Sequence, residues 1–130
     1  MGIIGDAYME YKSILIVDDS ETSRMIIKRC FVIAGYRDAE YFEAEDGLKA
    51  LSFLTGNTVD LIVSDLKMPK MDGNTFIKKI RLNDKTAEIP VVIISSIGND
   101  AIEESLKSYN VHAIIKKPVS PAKIIDIMEV

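Results

Sequence analysis

Five polar side chains that could do chemistry each follow a short apolar run of the chain. They are Asp18, Asp19, Asp65, Ser95 and Lys117. Three carboxylates brought together repel one another, so one of them stays protonated unless a cation enters the group. Oxygen ligands in small number suit Mg²⁺, which keeps several waters and commonly shares its coordination shell with a phosphate. Brought together, these residue types therefore predict Mg²⁺-dependent phosphate chemistry.

The reaction that such a group could perform is the transfer of a phosphoryl group to a carboxylate. A carboxylate beside a metal ion can attack phosphorus and form an aspartyl phosphate. The transfer depends mainly on positioning and on positive charge around the phosphoryl oxygens. Mg²⁺ and Lys117 would supply that charge, and the Ser95 hydroxyl would donate a charge-assisted hydrogen bond to a phosphoryl oxygen.

Short apolar runs predict the strands that would position these residues, four of them buried on both faces and one more polar, as at a sheet edge. The strands cover residues 13–17, 39–43, 61–63, 91–94 and 111–115, and the second is the edge strand. Apolar residues at helical spacing predict a helix after each strand. These helices cover residues 21–34, 47–54, 74–82, 100–109 and 121–128.

A strand and a helix repeated five times predict an α/β fold with a parallel sheet and helices on both of its faces. The carboxyl ends of parallel strands share one edge of the sheet, where open α/β sheets bind their ligands. Pro69 and the pair Asp72-Gly73 indicate a stiff turn that holds Asp65 at this edge. We therefore expect the five polar side chains to meet in one crevice.

Five stretches, in order over about residues 13–128, resemble the receiver domains of two-component signalling proteins, the CheY-like family. They read Ile-Val-Asp-Asp at 16–19, Ala-Glu-Asp-Gly-Leu-Lys-Ala-Leu at 44–51, Asp-Leu-Lys-Met-Pro-Lys-Met-Asp-Gly at 65–73, Pro-Val-Val-Ile-Ile-Ser at 90–95 and Lys-Lys-Pro at 116–118. The resemblance implies a flavodoxin-like (βα)5 fold with a doubly wound parallel sheet in the strand order 2-1-3-4-5.

The resemblance also implies a role for each site residue. Asp65 would accept a phosphoryl group from a phosphohistidine on a sensor histidine kinase or on a histidine phosphotransfer protein. Asp19, Asp65 and the backbone carbonyl of Lys67 would hold Mg²⁺ directly, and Asp18 would help through water. Lys117 would pair with the phosphoryl group, and Ser95 would move toward it and carry the switch.

Several positions near the predicted site depart from the best-known family pattern. Ser96 stands where a smaller residue is usual, and Ile114 stands where a switch aromatic is common. A switch that couples Ser95 to an aromatic ring therefore does not transfer to this chain unchanged. Lys67 and Ile97 occupy the two variable positions that flank the site and would influence how fast water reaches the acyl phosphate.

The family resemblance and the composition together predict a stand-alone signalling module. We expect residues 1–12 to be a leader and residues 13–130 to be a receiver domain that is cytoplasmic and monomeric or weakly dimeric. Output would pass to a partner protein, as in chemotaxis or a phosphorelay, through the face of the fourth helix, fifth strand and fifth helix. The chain would not be an enzyme, because it would catalyse only its own phosphoryl transfer and autodephosphorylation.

The net charge, the lengths of the apolar runs and the cysteine count argue against nucleic-acid binding, a membrane span and an internal disulfide. A formal net charge of −4 over 130 residues argues against general nucleic-acid binding, which needs a basic face. The longest apolar runs fall far short of the roughly 20 residues that span a bilayer. A single cysteine excludes an internal disulfide.

Three other functions compete with the phosphorylated switch. A flavin or nucleotide binder of flavodoxin type would need a phosphate loop after the first strand, where Asp18 and Asp19 would repel phosphate. An aspartate-nucleophile phosphatase would need a second acid at the position of Ser20. The third alternative is a degenerate receiver that binds a partner without being phosphorylated.

Overall fold

The computed structural model describes residues 11–96 and 98–128, and within them five strands alternate with five helices. The strands are β1 (Ser13–Val17), β2 (Glu40–Ala44), β3 (Leu61–Asp65), β4 (Val91–Ser95) and β5 (Ala113–Lys116). The helices are α1 (Glu21–Ile33), α2 (Gly47–Gly56), α3 (Gly73–Leu82), α4 (Asp100–Leu106) and α5 (Pro121–Met128). A single 3₁₀ turn, Lys107–Tyr109, follows α4 directly.

The strands form one parallel sheet in the order β2-β1-β3-β4-β5, which confirms the predicted doubly wound fold. The register aligns the carboxyl ends of neighbouring strands, with Val17 opposite Ser64 and Ser95 opposite Lys116. The residues that end these strands or follow them therefore meet at one edge. Among the described strands, β2 pairs with β1 alone, as predicted for the edge strand, and most of its side chains are partly or fully exposed.

Successive side chains of the central strands point to opposite faces of the sheet, which produces two cores. Leu15 and Val17 of β1 belong to the core beneath α2, α3 and α4. Ile14 and Ile16 belong to the core beneath α1 and α5. All four side chains are fully buried, as a strand covered on both faces requires.

β3 extends beyond the apolar run of residues 61–63 and ends on Asp65, the acid on which the sequence predicts that the strand stops. The extension follows from pairing with β4, because Asp65 still lies opposite Ile94 and the Leu66 N–H donates to the Ile94 carbonyl at 3.1 Å. The acid is therefore anchored by the sheet itself.

α4 is shorter than predicted, and β5 begins at Ala113 instead of residue 111. Asn110 adopts the left-handed conformation, with φ 54° and ψ 47°, and its N–H donates to the Lys107 carbonyl at 3.2 Å. Asparagine tolerates this conformation better than most residues, and it ends the helical path before the apolar run joins the sheet. The remaining boundaries agree with the prediction within two residues.

The predicted leader lies mostly outside the described residues. Of its twelve positions, the structure describes Tyr11 and Lys12. Tyr11 is buried, and the centroid of its ring lies 6.0 Å from that of Tyr36. Packing against the domain thus already includes a residue before the predicted boundary at 13. No helix within residues 11–96 and 98–128 is long and apolar enough to cross a membrane.

The turn from β3 to α3 closes tightly against the strand end. The Gly73 N–H donates to the Leu66 carbonyl at 2.8 Å. A Cβ atom on Gly73 would lie 2.9 Å from both Cα and the carbonyl oxygen of Leu66, and 3.0 Å from the carbonyl oxygen of Asp65. Because backbone atoms cannot yield as a flexible side chain can, only glycine allows α3 to begin this close to Asp65.

We predict that Gly73→Ala destabilises the protein by about 1–3 kcal/mol, the usual cost of overpacking. It should also shift the backbone amide resonances of Asp65 and Leu66, because the turn must move to relieve the clash. Denaturant unfolding and two-dimensional NMR measure these two effects. Gly56→Ala is the matched control, since a Cβ there meets no atom of the described residues within 4 Å. Equal stability of the two variants would contradict the close approach.

Candidate functional site

Three carboxylates meet at the carboxyl edge of the sheet and are called the acid cluster here: Asp18, Asp19 and Asp65. One carboxylate oxygen from each lies within 4.8 Å of the others. Asp18 and Asp65 are buried, with 1% and 6% of their surface exposed, whereas Asp19 is exposed. The cluster therefore has a buried floor and one side that is open to solvent.

Asp18 is held in place by the start of α1. Its Oδ1 accepts a hydrogen bond from the Ser20 N–H at 2.9 Å, and its Oδ2 accepts one from the Ser23 hydroxyl at 2.7 Å. Its backbone carbonyl accepts from Arg24 Nη1 at 2.6 Å, and Arg24 also pairs with Glu43 of β2. Ser20 caps α1 by accepting a hydrogen bond from the Ser23 N–H.

Asp65 lies in a setting that disfavours its charged form. Burial is the largest cause that raises the pKa of its carboxyl group, and the nearby charge of Asp18 raises it further. Lys117 and the backbone N–H groups of Leu66 and Lys67 oppose the shift. The Leu66 N–H donates to Asp65 Oδ1 at 2.8 Å. The net result is a carboxylate that gains from the arrival of a cation.

Lys117 approaches the acid cluster from the end of β5. Its Nζ lies 3.5 Å from Asp65 Oδ1, and its side chain is 38% exposed. Its backbone N–H donates to the Ser95 carbonyl at 2.8 Å, which ties the end of β5 to the end of β4. The lysine charge thus stands beside the acid while remaining accessible to an incoming group.

Ser95 is fully buried at the end of β4, and its hydroxyl is directed to α4. The hydroxyl donates to Glu103 Oε2 at 2.8 Å, and the next acceptor, the Ser96 carbonyl, lies at 3.3 Å. Ser95 is therefore at the predicted edge, but its proton is committed to α4 and not to the acid cluster.

The other predicted positions have varied surroundings. Ile114 is half-buried and packs against the core beneath α2, α3 and α4. Lys67 and Ser96 are exposed. Ile97 lies outside the described residues.

Sequence reasoning missed three residues that shape the site: Ser23, Arg24 and Glu103. All three lie in the first turn or so of a helix that follows a strand, so they face back toward the end of that strand. Helical position alone could have suggested them. Their partners could not be assigned without the orientation of each helix on the sheet.

Comparison with known proteins identifies the family. A family model described as the response regulator receiver domain matches residues 14–129. The chain belongs to the response regulator receiver family. Chemotaxis protein CheY1 of Helicobacter pylori is 35% identical over 118 residues, which are 90% of this chain and 94% of that protein. The polar-differentiation response regulator DivK of Brucella anthropi is 28% identical over 115 residues, which are 88% of this chain and 91% of that protein.

Solved structures agree with this assignment. The chemotaxis response regulator CheY4 of Vibrio cholerae matches this receiver domain with a TM-score of 0.76 and 26% identity. The match covers 88% of this chain and 92% of that chain. The resemblance drawn from the sequence motifs is thus confirmed for both the family and the fold.

The acid cluster of this receiver domain is suited to a divalent cation. Carboxylate oxygens are hard ligands, and oxygens of three residues already lie within 4.8 Å of one another. The raised pKa of Asp65 shows that Lys117 does not compensate the local negative charge and burial fully. A metal ion at this position would relieve the repulsion between Asp18 and Asp65.

We predict that Asp65→Asn raises the melting temperature of the metal-free receiver domain at neutral pH by a few degrees. The amide removes a desolvated charge and its repulsion by Asp18. Because the pKa of Asp65 is raised by folding, the penalty is fully present above the raised pKa. It is lost as the pH falls through that value and is absent below the ordinary value of 3.8.

Thermal unfolding in a chelating buffer over a range of pH measures this difference. Asp72→Asn is the matched control, because Asp72 is exposed and caps α3, where asparagine is an equally good cap. An Asp65→Asn protein that melts below the wild type at neutral pH would contradict the electrostatic description of the site.

Proposed function

We propose that this receiver domain is a reversible switch that accepts a phosphoryl group on Asp65 from a phosphohistidine. The observation that carries the proposal is the acid cluster, with the Lys117 ammonium 3.5 Å from the Asp65 carboxylate. This arrangement provides a nucleophile, oxygen ligands for a cation and a fixed positive charge at one open edge. Because every residue that the chemistry needs is present in the chain, phosphorylation is favoured over the alternative of a degenerate receiver that binds a partner without being phosphorylated.

The chemistry of the transfer is a displacement at phosphorus. A carboxylate oxygen of Asp65 attacks the phosphorus, the bond from phosphorus to the donor histidine nitrogen breaks, and the electron pair of that bond leaves with the nitrogen. Asp65 then carries an acyl phosphate. The Leu66 N–H orients the Asp65 carboxylate, and Lys117 stands where it can neutralise charge on the phosphoryl oxygens.

Mg²⁺ is the cofactor we propose, held directly by Asp19, Asp65 and the backbone carbonyl of Lys67. When bound, it would supply positive charge to the phosphoryl oxygens as they develop charge in the transfer. Both carboxylate oxygens of Asp18 already accept hydrogen bonds from α1, which supports a role through water instead of direct coordination.

Removal of the phosphoryl group is the reverse half of the switch. We propose that water attacks the acyl phosphate, so that the protein catalyses its own phosphorylation and dephosphorylation and acts on no other substrate. The exposed side chain of Lys67 stands next to the acid and would influence the approach of water. We propose the same influence for Ile97, the second variable position of the family pattern near the site.

The donor and the effector are proposed to use different surfaces. A groove of about 530 Å³ opens beside Lys117, between the start of α1 and the loop after β5, and Ile26 of α1 is exposed at its side. This apolar surface next to the acid would suit a histidine kinase or phosphotransfer protein. The face of α4, β5 and α5 would meet a downstream protein. We place these encounters in the cytoplasm, with the receiver domain monomeric or weakly dimeric.

We predict that incubation with Mg²⁺ and a small-molecule phosphodonor adds one phosphoryl group to the intact protein. Asp65→Asn should abolish the gain of mass, because the amide is not a nucleophile. Asp19→Asn should slow the gain by at least about tenfold, since it removes a proposed metal ligand. Mass spectrometry of the intact protein measures all three.

Two controls test whether the gain of mass is specific to Asp65 and whether it depends on the metal ion. Asp72→Asn should be phosphorylated like the wild type, because Asp72 lies near Asp65 in sequence but only caps α3. A chelator should prevent the reaction in every variant. A mass gain that persists in Asp65→Asn, or no gain in the wild type with Mg²⁺ present, would overturn the proposal.

A further inference from the structure

The Ser95 hydroxyl is not available to a phosphoryl group in the described state. A hydroxyl has one proton to donate, and that proton lies toward Glu103 Oε2 at 2.8 Å. Hydrogen bonds to a carboxylate are about twice as strong as those between neutral groups. Ser95 must therefore give up a charge-assisted hydrogen bond before it can donate to a phosphoryl oxygen on Asp65.

Glu103 keeps a second partner when Ser95 leaves. The same Oε2 atom accepts from Nζ of Lys116, the last residue of β5, and Lys116 also bonds to Asp100 Oδ1 at 3.2 Å. The hydrogen bond with Glu103 is the largest cause that raises the pKa of Lys116. The Glu103 side chain is only 14% exposed. Because Lys116 remains beside it, loss of the Ser95 hydrogen bond does not leave a buried carboxylate unpaired.

We propose that Glu103 is a positioning residue that holds the Ser95 hydroxyl away from Asp65 in the unphosphorylated protein and releases it on phosphorylation. This inference rests on the proposed function of Asp65. Residues Ser95, Glu103 and Lys116 form a network that links the ends of β4 and β5 to α4. Release of Ser95 exchanges one charge-assisted hydrogen bond for another.

The exchange has the properties of a two-state switch. Each state satisfies the Ser95 hydroxyl, so the two conformations can be close enough in free energy for phosphorylation to shift the population from one to the other. Glu103 belongs to α4, so its change of partner is felt directly in the helix of the proposed output surface. The network needs no aromatic side chain, which accords with Ile114 being packed into the core.

The contacts of the asparagine that precedes α4 also support a switch in which Ser95 exchanges its hydrogen-bond partner. Asn99 is buried and caps no helix N–H. Its Nδ2 instead donates to the Ser96 carbonyl at 3.1 Å and approaches Ser95 Oγ at 3.4 Å. Asn99 is thus tied to the Ser95 hydroxyl and to the Ser96 carbonyl, so a change of Ser95 partner acts on the residue that precedes α4.

Binding of beryllofluoride, a phosphoryl analogue that attaches to a carboxylate, tests the proposal by calorimetry in the presence of Mg²⁺. Glu103→Ala should bind beryllofluoride about tenfold more tightly than the wild type, because no hydrogen bond to a charged group has to be broken. Glu103→Gln should lie between the two, because a neutral acceptor still holds Ser95, but more weakly. Glu104→Gln, on the same helix and paired with Lys107, is the matched control and should bind like the wild type.

A double-mutant cycle separates this role from a general effect on folding. In a Ser95→Ala background, Glu103→Ala should no longer change the affinity for beryllofluoride, since the group that it holds is gone. A second readout needs neither metal nor phosphoryl analogue: NMR couplings that report χ1 of Ser95 should change in Glu103→Ala and stay unchanged in Glu104→Gln.

The outcomes distinguish this inference from the proposed function. Failure of every variant, wild type included, to bind beryllofluoride would refute phosphoryl acceptance at Asp65, and the χ1 measurement would still decide whether Glu103 positions Ser95. Binding by the wild type with no tightening in Glu103→Ala would refute the inference alone. Equal tightening with and without Ser95 would also refute it, because Glu103 would then act through another group.

Discussion

The repulsion between two buried carboxylates is the interaction on which the rest of this structure depends. Asp18 and Asp65 are almost fully removed from water and stand at the ends of the neighbouring strands β1 and β3. Burial and the charge of Asp18 both raise the pKa of Asp65. A chain folds with such a pair only if the surrounding packing fixes both groups, and here two central strands covered on both faces do so.

The residues around Asp18 and Asp65 fix both carboxylates and leave their negative charge available to a cation. Hydrogen bonds from α1 fix Asp18, and the Leu66 N–H fixes Asp65. Lys117 adds one positive charge without neutralising the group, and exposed Asp19 leaves one side open. A site that is short of positive charge and open on one side is prepared for a cation and an anionic phosphoryl group together.

Much of the fold was predictable from the sequence because its signals are local. The buried strands are uninterrupted apolar runs, and the helix starts are marked by Ser20, Asp46 and Asp72, each of which caps its helix. The positions of the acid cluster and Lys117 then follow from parallel topology, since strand ends share an edge. The end of α4 was misplaced because the last turn of the helical path, Lys107–Tyr109, is a 3₁₀ turn, which sequence spacing does not distinguish from an α-helix.

The partner of Ser95 was not predictable in the same way. Its hydrogen bond to Glu103 joins a strand end to a helix eight residues later, and it depends on how α4 lies on the sheet. The Lys116 contact needs the register of β5 in addition. Sequence spacing specifies which edge a residue reaches, but the direction of a hydroxyl proton is decided by tertiary packing.

A structure of the protein with Mg²⁺ and beryllofluoride bound would show whether Asp65 is the phosphoryl acceptor and whether Ser95 changes its partner. We expect beryllium attached to the Asp65 carboxylate, with its fluorine atoms accepting hydrogen bonds from Lys117 Nζ and Ser95 Oγ. Glu103 should remain paired with Lys116. Attachment of beryllofluoride at any residue other than Asp65, or a metal ion bound away from the acid cluster, would contradict this expectation.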